Sequence, residues 1–490
     1  MISGKTARDT GRRRRAEDRG IEFSLSRDGQ PIYLQICARF KAAIAQGHLR
    51  PGDRVPSVRS LASELGLSRG TATLAYQLLA EEGYFEFRGA AGTFVDFRHA
   101  QRAEKRSKNP APPAEDRSGS PSNDLRPLRL GLPALDAFPR KTWNRLVGRH
   151  SRRMDAGDLA YPDSSGHGPL RERIAAYLGV SRGIVCSPDQ VFITSGHRAT
   201  LNLILRTLSR PDDIFWFEEP GYLIVREFLL SNGARLQPVA VDRDGLDVAA
   251  GVESAPHAKF AIVTPANQSP LGVMMSLERR QQLLRWAGAG ERWIIEDDYD
   301  SEYRYNRRPP ASLKSLDADE RVLYTGSFSK VLYPGLRLSY LVVPSHEMGR
   351  FSQSSRLIDA GGPILHQAVI ADFMQQGHFA RHLKKMRGLY AQRRQMFADA
   401  LHHVFGDRLD IISPAAGLHI VARPIGYSAS DVAIAAQAQK MDLGLQALSP
   451  WHMGADPASG LLLGFTNVAD AGEALKLASM MRDACGAAST

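Results

Sequence analysis

Val322-Leu323-Tyr324-Thr325-Gly326-Ser327-Phe328-Ser329-Lys330 is the stretch from which most of the chain can be read. Its first four residues are a short apolar run of the kind that forms a fully buried strand. The run opens into a polar, glycine-containing segment that holds Ser327, Ser329, Lys330 and, a little further on, Arg337. Comparable apolar runs occur at residues 190–194, 214–217, 260–264 and 293–296, with helical stretches between them. Short apolar strands alternating with helices predict a largely parallel sheet buried on both faces. In such sheets a ligand lies beyond the carboxyl ends of the strands.

The chemistry-bearing residues fall at those ends. Thr194-Ser195-Gly196-His197-Arg198 follows one strand and opens a helix, which directs backbone N–H groups at a phosphate. Asp297 and Tyr299 end the strand that begins at Trp293. A lysine becomes a Schiff-base nucleophile where a dry site and neighbouring cations favour its neutral amine. A phosphorylated pyridine aldehyde also needs a carboxylate to keep its ring nitrogen protonated, and Asp297 is the natural partner. Taken singly, a strand-end aspartate is an ordinary cap and a Ser-Lys pair an ordinary surface feature. The ordered set carries the reading.

The N-terminal part follows a different pattern. From Pro31, the residues Ile32, Leu34, Ile36, Phe40 and Ile44 predict an amphipathic helix that ends at Gly47 and the turn Pro51-Gly52. Ser57 caps a second helix bearing Leu61, Ala62 and Leu65, and Gly66 turns the chain. Ser68 caps a third helix with Ala72, Ala75, Leu78 and Leu79 on one face. Two short capped helices about a glycine turn form a helix-turn-helix, whose second member reads DNA. Its outward positions include Arg69, Thr71 and Thr73, where arginine can fork onto guanine and the threonines suit phosphates or a thymine methyl. Tyr84 to Arg88, a turn over Gly89 to Gly92, and Thr93-Phe94-Val95 predict a hairpin wing, with Arg88 and Thr93 placed to touch the duplex. Any small α+β domain could show these elements.

Composition bounds the alternatives. The chain has 490 residues, enough for two or three domains, and no apolar run long enough to span a bilayer. Three cysteines, Cys37, Cys186 and Cys485, fit no zinc or redox spacing, and a reducing cytoplasm is expected. Of the net charge of +11, most lies early. Residues 1–130 carry 23 Lys and Arg against 15 Asp and Glu, and the remainder carries 40 against 37. A basic first part beside a near-neutral remainder suits a polyanion partner. Residues 1–30, with Arg12-Arg13-Arg14-Arg15, are expected to form a disordered basic arm, and residues 97–128 a flexible linker rich in Pro, Ser, Lys and Arg. The domains are then 31–96 and 129–490.

Both domains resemble known families. Pro31-Ile32-Tyr33-Leu34-Gln35-Ile36, Gly47-His48-Leu49-Arg50-Pro51-Gly52, Val55-Pro56-Ser57-Val58-Arg59, Leu65-Gly66-Leu67-Ser68-Arg69 and Gly92-Thr93-Phe94-Val95 resemble the winged helix of GntR-type regulators. That resemblance implies DNA contacts from Arg59, Arg69 and Thr71, and a wing near Gly89 and Gly92 in the minor groove. Ser68, Thr73 and Arg88 complete the candidate DNA-facing set. Regulators of this class often carry arginine where Thr73 stands, so the base pattern differs here.

Residues 129–490 resemble a fold-type I aminotransferase, with large and small subdomains. The resemblance is carried by Tyr161, Gly166, Gly168-Pro169-Leu170-Arg171, Ser195-Gly196-His197, Glu219-Pro220-Gly221-Tyr222, Asn267-Gln268-Ser269-Pro270, Asp297-Asp298-Tyr299-Asp300, Ser327-Phe328-Ser329-Lys330 and Pro334-Gly335-Leu336-Arg337. It implies pyridoxal 5'-phosphate on Lys330 as a Schiff base, Asp297 at the pyridine nitrogen, Tyr299 at the ring hydroxyl and Tyr222 stacked on the ring. Gly196, His197, Ser327 and Arg337 would hold the phosphate. Tyr161 would reach the partner's phosphate in a head-to-tail homodimer. Asn267 would contact the ring oxygen, with Gln268 as its competitor. The combined architecture is similar to that of MocR-type regulators.

Three functions fit. Aminotransferases of this fold usually clamp the substrate carboxylate with an arginine on a late strand, and the corresponding run here, Gly460-Leu461-Leu462-Leu463-Gly464-Phe465, has none. A regulator needs only differential binding to two states. The expected function is therefore a DNA-binding switch. An amine or amino-acid effector would form an external aldimine by exchange with Lys330, or cofactor occupancy itself would be sensed. An active transaminase with an appended DNA module is the main alternative, and an inert dimerisation scaffold the third.

Overall fold

The computed structural model describes residues 30–96, 124–305, 311–358, 361–412 and 416–489. The chain divides into two compact units, residues 1–122 and 123–490. The basic arm and residues 97–123 of the expected linker lie outside the described residues. Residues 124–128, expected in that linker, belong instead to the second unit. Leu128 is buried, and Asp124 is buried under Arg126 and Arg129.

In the first unit, helices α1 (Ile32–Ala45), α2 (Val58–Glu64) and α3 (Arg69–Glu81) surround Phe40, Tyr76 and Phe85, whose rings meet edge to face. The capping serines act as their positions predict. Ser57 Oγ accepts from Ser60 N and Ser68 Oγ from Thr71 N. Strands β1 (Phe85–Phe87) and β2 (Thr93–Val95) form the antiparallel hairpin. A third strip joins them: Arg54 bridges Phe94, and Val55 N donates to Thr93 O.

The second unit is built on an eight-stranded sheet. Its strands are β3 (Val191–Thr194), β4 (Ile214–Glu219), β5 (Arg235–Asp242), β6 (Gly245–Leu246), β7 (Phe260–Val263), β8 (Trp293–Asp298), β9 (Val322–Ser327) and β10 (Ser339–Val342). The spatial order is β3-β10-β9-β8-β7-β4-β5-β6. The run from β9 through β8, β7 and β4 to β5 is parallel, whereas β10 lies antiparallel between β3 and β9. Apolar clusters cover both faces, with Phe215, Phe260 and Leu323 on one and Trp216, Ile294 and Val322 on the other.

A smaller antiparallel sheet follows, β11 (Leu409–Ile411), β12 (His419–Pro424), β13 (Gln446–Ala447) and β14 (Leu461–Gly464), in the order β11-β12-β14-β13. The helices His378–Phe405 and Ala471–Ser489 pack on one of its faces. Among the described residues no helix is long and apolar enough to cross a membrane.

Candidate functional site

In the second unit the register aligns the strand ends on one row. Ser339 on β10 faces Thr194 on one side and Ser327 on the other, while Asp298 faces Gly326. Lys330 follows β9 by three residues, so its side chain starts from this row. Its Nζ donates to Gly131 O at 2.9 Å, and a Cβ on Gly131 would run into that nitrogen. Burial pulls the Lys330 pKa down, against the pull of Asp300 and Asp297 and with help from Arg129. A lysine with a lowered pKa offers more of the neutral amine that attacks a carbonyl.

Asp297 is buried and accepts from Thr325 Oγ1 at 3.2 Å. Burial pushes its pKa up, and His197 opposes that shift most. His197 Nε2 stands 3.4 Å from Asp297 Oδ2, yet it is buried without a hydrogen-bond partner. Its backbone opens the helix His197–Leu208, where a phosphate is favoured, and its imidazole lies beside the aspartate. The side-chain direction depends on a neighbour 100 residues away in sequence, which no local pattern reveals.

At the start of that helix, Gly196 takes φ +99 and caps it. The Arg337 guanidinium packs over it, with Nη2 only 3.0 Å from where a Cβ would stand. A side chain at 196 would therefore be strained and would fill the cradle. Ser327 Oγ accepts from Ser329 N and keeps its own hydrogen to donate.

The alternatives at 267 and 268 separate on geometry. Gln268 is consumed by structure: its Nε2 donates to Pro220 O, Ser269 O and Glu218, and its Oε1 accepts from Leu271 N. Asn267 Nδ2 donates to Asp300 and to Tyr299 OH, while its Oδ1 is buried and unpartnered. Asn267 is thus the residue with capacity to spare. Burial raises the Tyr299 phenol well above its ordinary range and takes that of Tyr222 up to about 12, keeping both protonated. Tyr222 lies 5.8 Å from Trp451, centre to centre.

These residues fit a phosphorylated pyridine aldehyde. The structure offers a buried carboxylate, a lysine of lowered pKa, a glycine cradle under an arginine, and two orphaned buried polar atoms, His197 Nε2 and Asn267 Oδ1. Tyr161 is the exception. It is fully exposed and lines an open groove of about 1200 Å³ with Ser164, Arg171, Met348 and Arg356, apart from the Lys330 residues. Within one chain the structure does not bring it to the site.

Two further acids beneath the site carry a pH signature. Glu218 accepts from Thr264 N and Oγ1, Glu296 from Leu313 N and Lys314 N, and burial pushes both up to about 7. A raised carboxyl pKa contributes stability that is complete below its unfolded value near 4.5 and lost as pH rises through about 7. The denaturation midpoint of the purified protein should therefore fall between pH 5 and pH 7.5 by urea titration, and Glu218→Gln should flatten that fall. An unchanged slope in the variant would contradict the assignment.

In the first unit, Arg59 in the first turn of α2 and Arg69 at the start of α3 are exposed, as are Ser68 and Gly89. Ser68 is a cap, and its Oγ also lies 2.8 Å from Thr71 Oγ1. Ser68→Ala should cost about 1 kcal/mol of stability, measured by denaturation of the full chain. Thr73 Oγ1 donates to Arg69 O, which leaves its methyl and lone pairs for a ligand. Arg88 is less free than expected. It donates twice to Glu86 and lies over the Phe94 ring at 4.8 Å, so contact with DNA would have to break that pair. The sequence reading missed Arg54. Its guanidinium reaches to 2.9 Å from a notional Cβ on Gly92 and so stands at the wing. The third strip of the wing is too short to announce itself by pattern.

Comparison with known proteins agrees with this two-part fold. Residues 138–441 match the family model described as aminotransferase class I and II, and residues 32–95 that of bacterial regulatory proteins, gntR family. The chain is 36% identical to the probable rhizopine catabolism regulatory protein MocR of Rhizobium meliloti, over 91% of this chain and 92% of that one. It is 30% identical to the pyridoxine biosynthesis transcriptional regulator PdxR of Corynebacterium glutamicum, over 89% and 92%. Among solved structures, the kynurenine aminotransferase of Pyrococcus horikoshii superposes with a TM-score of 0.67 at 25% identity, over 75% of this chain and 92% of that one.

Proposed function

The chain belongs to the MocR-type subgroup of the gntR family of bacterial regulators, a winged helix joined to an aminotransferase fold, and on that premise we propose that it is a DNA-binding switch operated at Lys330. The first unit binds double-stranded operator DNA through Arg59, Arg69, Thr71 and Thr73, with Arg54, Gly89 and Gly92 at the wing. The second holds pyridoxal 5'-phosphate, which supplies an electrophilic carbon for amine capture when bound. Lys330 is its covalent anchor. Asp297, braced by Thr325 and faced by His197, holds the proton at the ring nitrogen. Asn267 and Tyr299 face the ring oxygen, Tyr222 covers the ring, and Gly196, Ser327 and Arg337 take the phosphate. Tyr161 serves the second copy in a homodimer.

The observation that supports the switch reading is the pairing of residues around Lys330 that fit the cofactor with a late strand that carries no arginine. Leu461, Leu462 and Leu463 on β14 are all fully buried. When bound, the cofactor would supply a carbon for which the Lys330 amine and an amine or amino-acid effector compete, with no redox partner needed. Displacement of the Lys330 amine would bias the protein between two states.

Steady-state assays with a range of amino donors should yield no keto product beyond one turnover, while the same donors alter operator affinity. Sustained keto product would establish the transaminase alternative. Arg69→Ala should weaken operator binding by about 1–3 kcal/mol and leave random DNA less affected, as measured by fluorescence anisotropy. Equal losses on both DNAs would show that Arg69 contacts only phosphate.

A further inference from the structure

The two faces of the small sheet are chemically different. Side chains alternate along a strand, and the register pairs His419 with Gly464 and Val421 with Leu462. Ile420, Ala422, Leu461 and Leu463 therefore share the face covered by the long helices. His419, Val421, Leu462 and Gly464 share the other. On that second face Val421 and Leu462 cluster with Leu448 and Trp451, and with Leu130 and Tyr222 at the edge. Tyr222 is the ring-covering residue, and Leu130 adjoins Gly131, whose carbonyl receives Lys330 Nζ. The apolar face therefore borders the amine site.

Among the described residues, three cations near this border are engaged by protein groups. Arg226 donates to Pro450 O at 2.9 Å and His452 O at 3.0 Å, docking the segment before β14 onto the large subdomain. Arg129 is paired with Asp124, and Arg304 Nη1 donates to Ala266 O at 2.7 Å. The carboxyls that act most on Lys330 are Asp300 and Asp297. His419 Nε2 donates to Pro270 O at 2.7 Å, so in the neutral ring Nδ1 is left as an acceptor. Burial and the nearby Lys330 hold that ring neutral, opposed only by the Pro270 carbonyl. An anion entering here would lose its water and meet an acceptor and carboxyl groups, with no free cation among these residues.

We infer that the amine admitted at Lys330 carries no carboxylate on the carbon that bears its nitrogen, and that Leu462, Val421 and His419 are the residues that select against one. This deepens the amine-response reading above and rests on it.

The test uses the full-length protein loaded with pyridoxal 5'-phosphate and three matched probe sets. These are tyramine, tyrosinamide and tyrosine; isobutylamine, valinamide and valine; and ethanolamine, serinamide and serine. Exchange is followed by the change in cofactor absorbance and by mass spectrometry after borohydride trapping. The amine and amide of at least one set should exchange at concentrations at least about tenfold below those needed for the amino acid, since the amide keeps the carbonyl and removes only the charge. Leu462→Arg should reverse that order. If that variant does not fold, His419→Arg places a cation on the same face and should do the same. Amino acids that exchange as readily as their amides in the unmodified protein would overturn the inference and leave the amine-response reading standing. If no probe exchanges although borohydride fixes the cofactor to Lys330, the amine-response reading itself falls, and the inference with it.

Discussion

Lys330→Ala protein is expected to carry no covalently fixed cofactor after borohydride reduction and to lose its entire response to amines, while it still binds operator DNA. The expected effect is complete because the proposed attachment has one atom, Lys330 Nζ, which donates to Gly131 O just beyond β9. Alanine removes that nitrogen and leaves the strand row intact. Soluble pyridoxal 5'-phosphate would keep the contacts proposed at Asp297, Arg337 and Gly196 and bind more weakly, so part of the ligand-linked stability would be lost as well. The measurement is intact-protein mass after reduction, paired with DNA anisotropy on the same sample. A variant that keeps its full amine response would show that exchange at Lys330 is not the switch.

Arg182→Met is expected to give the largest loss of stability in the second unit, about 3–5 kcal/mol. Arg182 lies at the end of helix Gly168–Arg182 and pairs with Asp298 next to Asp297 on β8, both side chains being 4% exposed. Tyr324 OH donates to the same carboxylate at 2.6 Å, while Asp298 Oδ1 has no partner. Glu302 is half-buried nearby, its pKa raised by desolvation and by Asp298 and opposed by Arg182. Without the arginine Asp298 loses its direct ion-pair partner while it still faces the half-buried Glu302. Methionine keeps most of the volume, so the loss reports charge and not a cavity. The double variant Arg182→Met with Asp298→Leu should recover most of it, because an apolar pair of similar size is often no worse than a buried ion pair. Urea denaturation of the three variants decides, and a double variant as unstable as Arg182→Met alone would place the loss in packing.

Much of this was legible from short stretches of sequence. Ser57 and Ser68 announce their helices by local hydrogen bonding, and they cap as predicted. The strands that end at Asp298 and Ser327 are apolar runs that only a sheet buried on both faces accommodates. What stayed hidden depends on side-chain packing, in several cases with partners far away in sequence. β10 is four residues long, and its antiparallel direction is set by β3 and β9 on either side. The His197 imidazole turns to Asp297, 100 residues on, by side-chain geometry that spacing does not encode. Residues 124–128 look like linker by composition, yet Arg126 and Arg129 close over Asp124 and anchor them. His419 is a lone histidine in an apolar strand, and only the register with β14 places it beside the site.

The most direct test of the switch is operator affinity of the full-length, cofactor-loaded protein, measured by fluorescence anisotropy on DNA that the protein itself selects from a random pool. Tyramine, isobutylamine and ethanolamine serve as probes. The prediction is that at least one of them shifts the dissociation constant by at least about fivefold in the unmodified protein and by nothing in Lys330→Ala. Identical affinities with and without every amine that borohydride trapping shows to be bound, or the same shift in Lys330→Ala, would contradict it.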